Sequence, residues 1–175
     1  IFAGTGNPAA YSTTWLKKEW HFLDGGVVAK RIYGLEKELE GTFEVVQQVG
    51  PLWVVRETHP QRIGASFYLL DVDTGKLETV SRARTHPELA PMHPFEFESR
   101  DGLKLTAYLT LPPYLKSIDS VTQPVPLVVF PHGGPFQARD TWRFHPYHQW
   151  LASRGYAVLS VNFRLSSGLG KKLVN

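Results

Sequence analysis

Apolar and polar positions alternate with period two over much of the chain, and the alternation is cut wherever Gly, Pro or Asp clusters. Short runs such as Phe43-Glu44-Val45-Val46 and Leu52-Trp53-Val54-Val55 are separated by Val49-Gly50-Pro51, and Asp24-Gly25-Gly26 punctuates the chain upstream. This texture predicts β structure with frequent turns from residue 1 to about 92. Ala65 to Asp71 and Lys76 to Val80 form the clearest pair, joined by Val72-Asp73-Thr74-Gly75. Asp and Thr side chains bond to turn backbone, and Gly75 takes positive φ without steric cost, so a hairpin is expected. Such hairpins repeat in propeller blades, though any antiparallel sheet would also satisfy the pattern. One segment departs from it. Between Ile32 and Leu39 the charges of Glu36, Lys37 and Glu38, with Lys30, Arg31 and Glu40 beside them, predict a solvated loop or strand edge.

From about residue 93 the pattern changes. Phe95 to Ser99 alternates, Arg100-Asp101-Gly102 reverses the chain, and Leu103 to Leu109 alternates back until Pro112-Pro113. An antiparallel hairpin of 95–99 with 103–111 follows. Pro126 to Phe130 is an unbroken apolar run, as for a strand buried on both faces. After a Gly-Gly loop, Phe144, Tyr147 and Leu151 stand at i, i+3 and i+7, and Arg154-Gly155 makes a helix stop. Tyr156 to Val161 is a second buried strand, expected to lie parallel to 126–130. Strand, loop, helix and strand make a βαβ unit, so this half reads as α/β.

Composition narrows the class. The 175 residues are 42% hydrophobic and 20% charged, with five Trp, seven Tyr and ten Phe, the balance of a globular protein with apolar mass for a core. The formal charge, 19 − 16 = +3, is spread without a basic run, which gives no argument for a nucleic-acid or membrane partner. Without cysteine there is no disulfide and no thiolate zinc site, and the compartment stays open, the cytoplasm slightly favoured. No apolar stretch approaches 18 residues and no charged-then-apolar leader opens the chain. It starts at Ile1 rather than Met and stops at Asn175, which fits a fragment or a processed product. No Asn-x-Ser/Thr acceptor occurs, since Asn7 precedes Pro8 and Asn162 leads to Phe163-Arg164.

The chemistry gathers at His132-Gly133-Gly134-Pro135, directly after the strand ending in Phe130-Pro131. Two glycines let backbone approach a ligand and turn N–H groups towards it. A loop after the third strand of an α/β-hydrolase supplies one of two backbone donors to the oxyanion. Such a donor lowers the barrier by about 3–4 kcal/mol, because the charge it meets develops only in the transition state. A plain tight turn, with His132 as a packed loop residue, is the competing reading of the motif alone. His145 and His148, three apart on the predicted helix, invite a metal reading that lacks a third ligand.

Three segments fall in order at telling spacings: Pro131 to Pro135, Gln149 to Val158, and Val161-Asn162-Phe163-Arg164. Together they resemble the start of the catalytic domain in the prolyl oligopeptidase family, on its acylaminoacyl-peptidase side. Ser99-Arg100-Asp101-Gly102-Leu103 and Tyr108 to Pro112 are similar to the hairpin that opens that domain. The resemblance covers residues 90–172, residues 50–90 look like a last propeller blade, and the first 50 match by texture. It implies an α/β fold with residues 1–92 as the C-terminal part of a β-propeller and 93–175 as the N-terminal part of an α/β-hydrolase domain. It also implies a Ser-Asp-His peptidase, without metal or cofactor, acting on peptides or acyl-peptides.

By that resemblance the Gly134 N–H is an oxyanion donor, with His132, Gly133 and Pro135 supporting the loop. Family members that cleave after proline often carry Tyr where His132 stands, so His132 suggests the subgroup using a backbone donor. Leu165 replaces a family glycine in Arg164-Leu165-Ser166-Ser167-Gly168, which implies a shifted loop, and Arg164 reads as an ion-pair partner. Ser66, Ser160, Ser166 and Ser167 all lack the Gly-x-Ser-x-Gly elbow, so the triad is expected beyond Asn175, with the rest of the parent polypeptide as a necessary partner. A carboxylesterase-type hydrolase and a non-catalytic propeller binding module are the rival readings.

Overall fold

The computed structural model describes residues 8–134 and 138–174. A hairpin of β1 (Ala10–Thr14) and β2 (Lys18–Phe22) leads into helix α1 (Val27–Glu38). Next come β3 (Thr42–Val49), β4 (Leu52–Thr58), β5 (Ser66–Asp71) and β6 (Leu77–Ser81), a four-stranded antiparallel meander in sequence order. The second half holds β7 (Met92–Glu98), β8 (Lys104–Thr110), β9 (Leu127–Val129), α2 (Pro146–Ala152), β10 (Ala157–Asn162) and the short α3 (Lys171–Val174). Its sheet runs β7-β8-β10-β9, with β9 and β10 parallel and the other pairs antiparallel. Antiparallel pairing therefore dominates, and helices are few.

The meander buries one face because alternate residues of its strands point the same way. Trp53 and Val55 of β4 and Tyr68 and Leu70 of β5 meet Phe43 of β3. Helix α1 covers that face with Val28, Ile32 and Leu35. The spacing of four and three along one helical stripe explains α1, and it corrects the expectation of a loop or strand edge at 32–39. The charges dominating that stretch occupy the outer face of an amphipathic helix. Arg31 reaches from α1 to the β5–β6 turn, where Nε donates to Val72 O at 2.7 Å and Nη2 to Asp73 O at 2.7 Å. The turn forms as expected: Gly75 has φ +81, Asp71 Oδ1 accepts from Thr74 N, and Thr74 Oγ1 accepts from Lys76 N.

The expected hairpin appears as β7–β8 with Gly102 at φ +76, and β9 lies parallel to β10 in register Leu127↔Ala157. Two details differ. The β9 strand is an edge with Leu127 and Val129 exposed, so it is not buried on both faces. Helix α2 starts at Pro146 and buries His148, Gln149 and Ala152, while Tyr147 faces outward. Of the apolar residues that marked it, Phe144 precedes the helix and Leu151 is only half-buried, so the buried face is set by other positions. The buried side is polar because its neighbours offer hydrogen bonds: Gln149 Oε1 accepts from Ala90 N, and its Nε2 donates to Pro60 O and Ala90 O.

The two sheets are tied by the 15–17 segment. Tyr108 Oη donates to Leu16 O at 2.9 Å, and Arg139 donates to Thr14 O and Trp15 O. Trp15 Nε1 donates to Glu96 at 2.9 Å, and the Lys17 ammonium lies 3.7 Å over the Trp142 ring.

Candidate functional site

The loop after β9 is shaped by the strand that precedes it and by the turn that follows β10. Phe130 N donates to Leu159 O at 2.8 Å, prolonging the parallel pairing until Pro131, which has no N–H to continue it. His132 then packs flat on Phe163, ring centroids 4.5 Å apart, and its Nε2 lies 2.8 Å from Ser166 Oγ. Its Nδ1 lies 3.2 Å from Gly133 O. A carbonyl only accepts, so Nδ1 carries the proton and Nε2 accepts from the Ser166 hydroxyl. The tautomer is thus fixed by its two partners.

This bond orients the next peptide. C=O and N–H point opposite ways across a planar trans peptide, so holding the Gly133 carbonyl at the His132 ring turns the Gly134 N–H away from it. Gly134 sits at φ +91, a conformation that L side chains rarely adopt, and a Cβ there would stand 3.3 Å from Ala138 Cβ. Its N–H makes no hydrogen bond with a described residue, and the residue is exposed. The arrangement can offer a backbone donor to an anion.

Leu165 has φ +74, the left-handed conformation that suits glycine. The backbone there takes a glycine-like φ, and the leucine bears the strain. Leu165 N donates to Leu173 O, Ser166 N to Phe163 O and Ser167 N to Ala138 O, and these bonds hold the turn in place. Arg164 pairs with Asp101 at the surface, the structural role expected for it.

Beneath the loop lies a cavity of about 390 Å³ bordered by His132, Gly133, Asp140, Arg143, His145 and His148 among others. Gly134 does not line it. His148 is buried and fully bonded. Ser160 donates its single proton to Phe130 O at 2.8 Å, so it accepts from His148 Nε2, and His148 Nδ1 accepts from Thr110 Oγ1 at 3.0 Å. Burial first, and then the neighbouring His145, lowers the His148 pKa from 6.5 to about 4. With both ring nitrogens engaged, His148 cannot ligate a metal beside His145, and among the described residues no metal-holding group of His, Asp and Glu forms.

Asp140 is pinned through its backbone: its N donates to Asn162 Oδ1 at 2.7 Å, and Asn162 Nδ2 donates to Asp140 O at 3.1 Å. Burial raises the pKa of its carboxyl, against the pull of His132 and His145. Its Oδ2 and His145 Nδ1 are buried without hydrogen-bond partners among the described residues.

The structure therefore brings His132 and Gly133 to the cavity but not Gly134, while Pro135 lies outside the described residues. Ser160 and Ser166 each sit beside a histidine, yet both are wholly buried and neither histidine is backed by a carboxylate bond. Neither pair can present a nucleophile to a substrate. Sequence reasoning missed the partnership of Ser166 with His132 and the Thr110–His148–Ser160 chain. A signal existed in the small polar residues at otherwise apolar strand positions, Thr106 and Thr110 in β8 and Ser160 and Asn162 in β10.

No family model matches the chain. It is 40% identical over 184 aligned residues to dipeptidyl aminopeptidase BIII of Pseudoxanthomonas mexicana, an alignment covering 98% of this chain and 25% of that protein. Among solved structures, a puromycin-hydrolyzing peptidase of Mycobacterium tuberculosis superposes with a TM-score of 0.57 at 26% identity, over 71% of this chain and 19% of that one. The acylaminoacyl peptidase of Pyrococcus horikoshii shares the fold over 94% of this chain and 25% of its own, with a TM-score of 0.59 and 20% identity. The chain thus spans about a quarter of the length of these relatives, or less.

Proposed function

The chain belongs to the prolyl oligopeptidase family of serine peptidases, and from that premise we propose that it supplies one oxyanion donor, the Gly134 N–H, to a parent enzyme that hydrolyses peptides or acyl-peptides. In this reading residues 1–92 end a β-propeller and residues 93–175 open an α/β-hydrolase domain. The nucleophilic serine, its acid and its histidine lie in the parent polypeptide outside these residues. The observation that carries the reading is the Gly134 N–H at φ +91, without a partner among the described residues and turned from the His132 ring by that ring's bond to the Gly133 carbonyl. The burial of Ser160 and Ser166 supports placing the nucleophile elsewhere.

Gly134→Pro and Gly134→Ala are poor tests, because φ +91 is closed to proline and strained for alanine. Glycolic acid in place of Gly134 converts the amide to an ester, removing the N–H without adding a side chain, and weakens the Gly133 carbonyl only as an acceptor. In the full-length protein this exchange should lower kcat by about 10²–10³-fold, the range for one lost oxyanion donor. The same exchange at Gly133 should leave kcat largely unchanged. The reverse result assigns the donor to Gly133, and no loss at either position makes the loop a simple turn. A fluorophosphonate probe should label the full-length protein and leave the 175-residue chain unlabelled; labelling of the chain alone would overturn the placement of the nucleophile.

A further inference from the structure

A second cavity, about 180 Å³, lies between the meander and the 141–143 segment. Its wall carries Lys17, Lys18, Arg56 and Arg143 against a single carboxylate, Glu44. Glu44 is already shared, 3.7 Å from Lys18 and ion-paired with Arg56. Lys17 and Arg143 form no ion pair and no hydrogen bond with any described residue, and they flank Trp142, whose ring lies under the Lys17 ammonium. Asp140 feels the charge of Arg143 from the neighbouring cavity but forms no ion pair with it. Two cations on a concave wall, neither paired with a described carboxylate, therefore raise the local potential and favour an anion there. The form of the site narrows the anion. Glu44 on the same wall repels a dianionic phosphate more than a single carboxylate, and the Trp142 ring offers an apolar surface beside the charges.

We propose that this cleft binds the carboxylate of a peptide, held between Lys17 and Arg143. Thr141 and Arg143 border both cavities, so a peptide reaching from the His132 loop could place an acidic group here. That the peptide is a substrate rests on the peptidase reading above; that the cleft takes a carboxylate does not.

The test is equilibrium binding to the full-length protein by calorimetry at low salt. The probes are Ac-Gly-Glu-NH2, Ac-Gly-Gln-NH2, Ac-Gly-Gln-OH and inorganic phosphate. Either the glutamyl amide or the free acid should bind at least about tenfold tighter than the neutral amide, as for charge-assisted hydrogen bonds. Which acid wins tells a side-chain carboxylate from a C-terminal one. Added salt should narrow the gap. Lys17→Met and Arg143→Met should each reduce the discrimination, and the pair should abolish it. Arg143 is exposed, so its variant should keep the wild-type melting curve and serve alone if Lys17→Met unfolds. Equal binding of all three peptides overturns the proposal, as does phosphate binding tighter than both acids. Discrimination that survives in Lys17→Met/Arg143→Met, or in Arg143→Met where Lys17→Met unfolds, overturns it too. Because no turnover is read, failure of the peptidase reading would appear separately, as absent fluorophosphonate labelling.

Discussion

The meander and the β7–β10 sheet are held together by different forces. The meander shares one apolar cluster running from Ala9 and Ile32 through Phe43, Trp53 and Tyr68 to Val72, and a helix closes it. In the second sheet the buried apolar clusters are small: Met92, Tyr108 and Trp142 in one, Leu105, Leu169 and Leu173 in the other. Beside buried apolar residues such as Ala107, Leu111 and Val158, its interior holds polar ones, with Thr106, Thr110, His148, Ser160 and Asn162 all buried and bonded to one another or to backbone. Apolar burial stabilises without direction, by about 1.5–3 kcal/mol for each large side chain. Hydrogen bonds add about 1 kcal/mol net, but they fix angles as apolar contacts do not.

The meander also buries polar groups, Glu57 and Ser66, and breaking the Glu57 network should have the largest effect. Glu57, 1% exposed, accepts from Tyr68 Oη at 2.8 Å, Gly41 N at 2.7 Å and Arg62 Nη1 at 2.9 Å. Glu57→Ala leaves Arg62 and Tyr68 facing a void and should cost about 3–5 kcal/mol of stability, read as a lower urea midpoint. A shift too small to resolve would place this network outside the forces that hold the sheet.

Acid should weaken the second sheet through its buried histidine. The folded pKa of His148 is about 4 against an ordinary 6.5, so between those values the unfolded chain binds more protons. Stability contributed by neutral His148 is therefore present above pH 6.5 and lost as pH falls towards 4. Burial lowers the pKa of His59, His93 and His145 as well, and these act in the same direction. Asp140, raised by burial, acts in the opposite one. Urea midpoints measured across this range should fall less steeply in His148→Gln than in the wild type, with a residual slope from the other three. Equal slopes would remove His148 from the pH response.

Smaller effects belong to the turns. At Gly75 a Cβ would come within 2.4 Å of the Arg31 guanidinium, in a backbone already at φ +81. Gly75→Ala should cost about 1–2 kcal/mol from the left-handed backbone, with any loss of the Arg31 bonds added to it. In the second sheet the matching change is favourable: Leu165→Gly should relieve strain and raise stability by about 0.5–1 kcal/mol, less the backbone entropy that glycine adds to the unfolded chain. If thermal melts show Leu165→Gly to be destabilising, contacts of the leucine side chain outweigh its φ of +74.

Local chemistry made much of this legible. Asp71, Thr74 and Gly75 encode their turn in three residues, and Asp101-Gly102 encodes another, because the atoms that bond are neighbours in the chain. Helix α1 was misread because its charged residues outnumber its buried ones, although Val28, Ile32 and Leu35 already lay on one stripe. The order of the β9, α2 and β10 elements was legible from apolar runs, but the buried face of α2 was not. Which side of a short helix faces inward depends on what Pro60, Ala90, Thr110 and Ser160 present to it.

The sequence by itself determined the strands, the turns at Gly75, Gly102 and Gly155, the parallel pair and the glycine loop, since each follows from periodicity or from a residue's own backbone freedom. Tertiary structure alone decided the rest. Ser166 lies 34 residues from His132, and their meeting fixes the imidazole tautomer that holds the Gly133 carbonyl. Lys17 comes over the Trp142 indole, beside Arg143, only when the β1–β2 hairpin packs on the second half. Each of those encounters spans many residues of intervening chain, so no local pattern encodes it, and only the packing that brings the partners together sets its geometry.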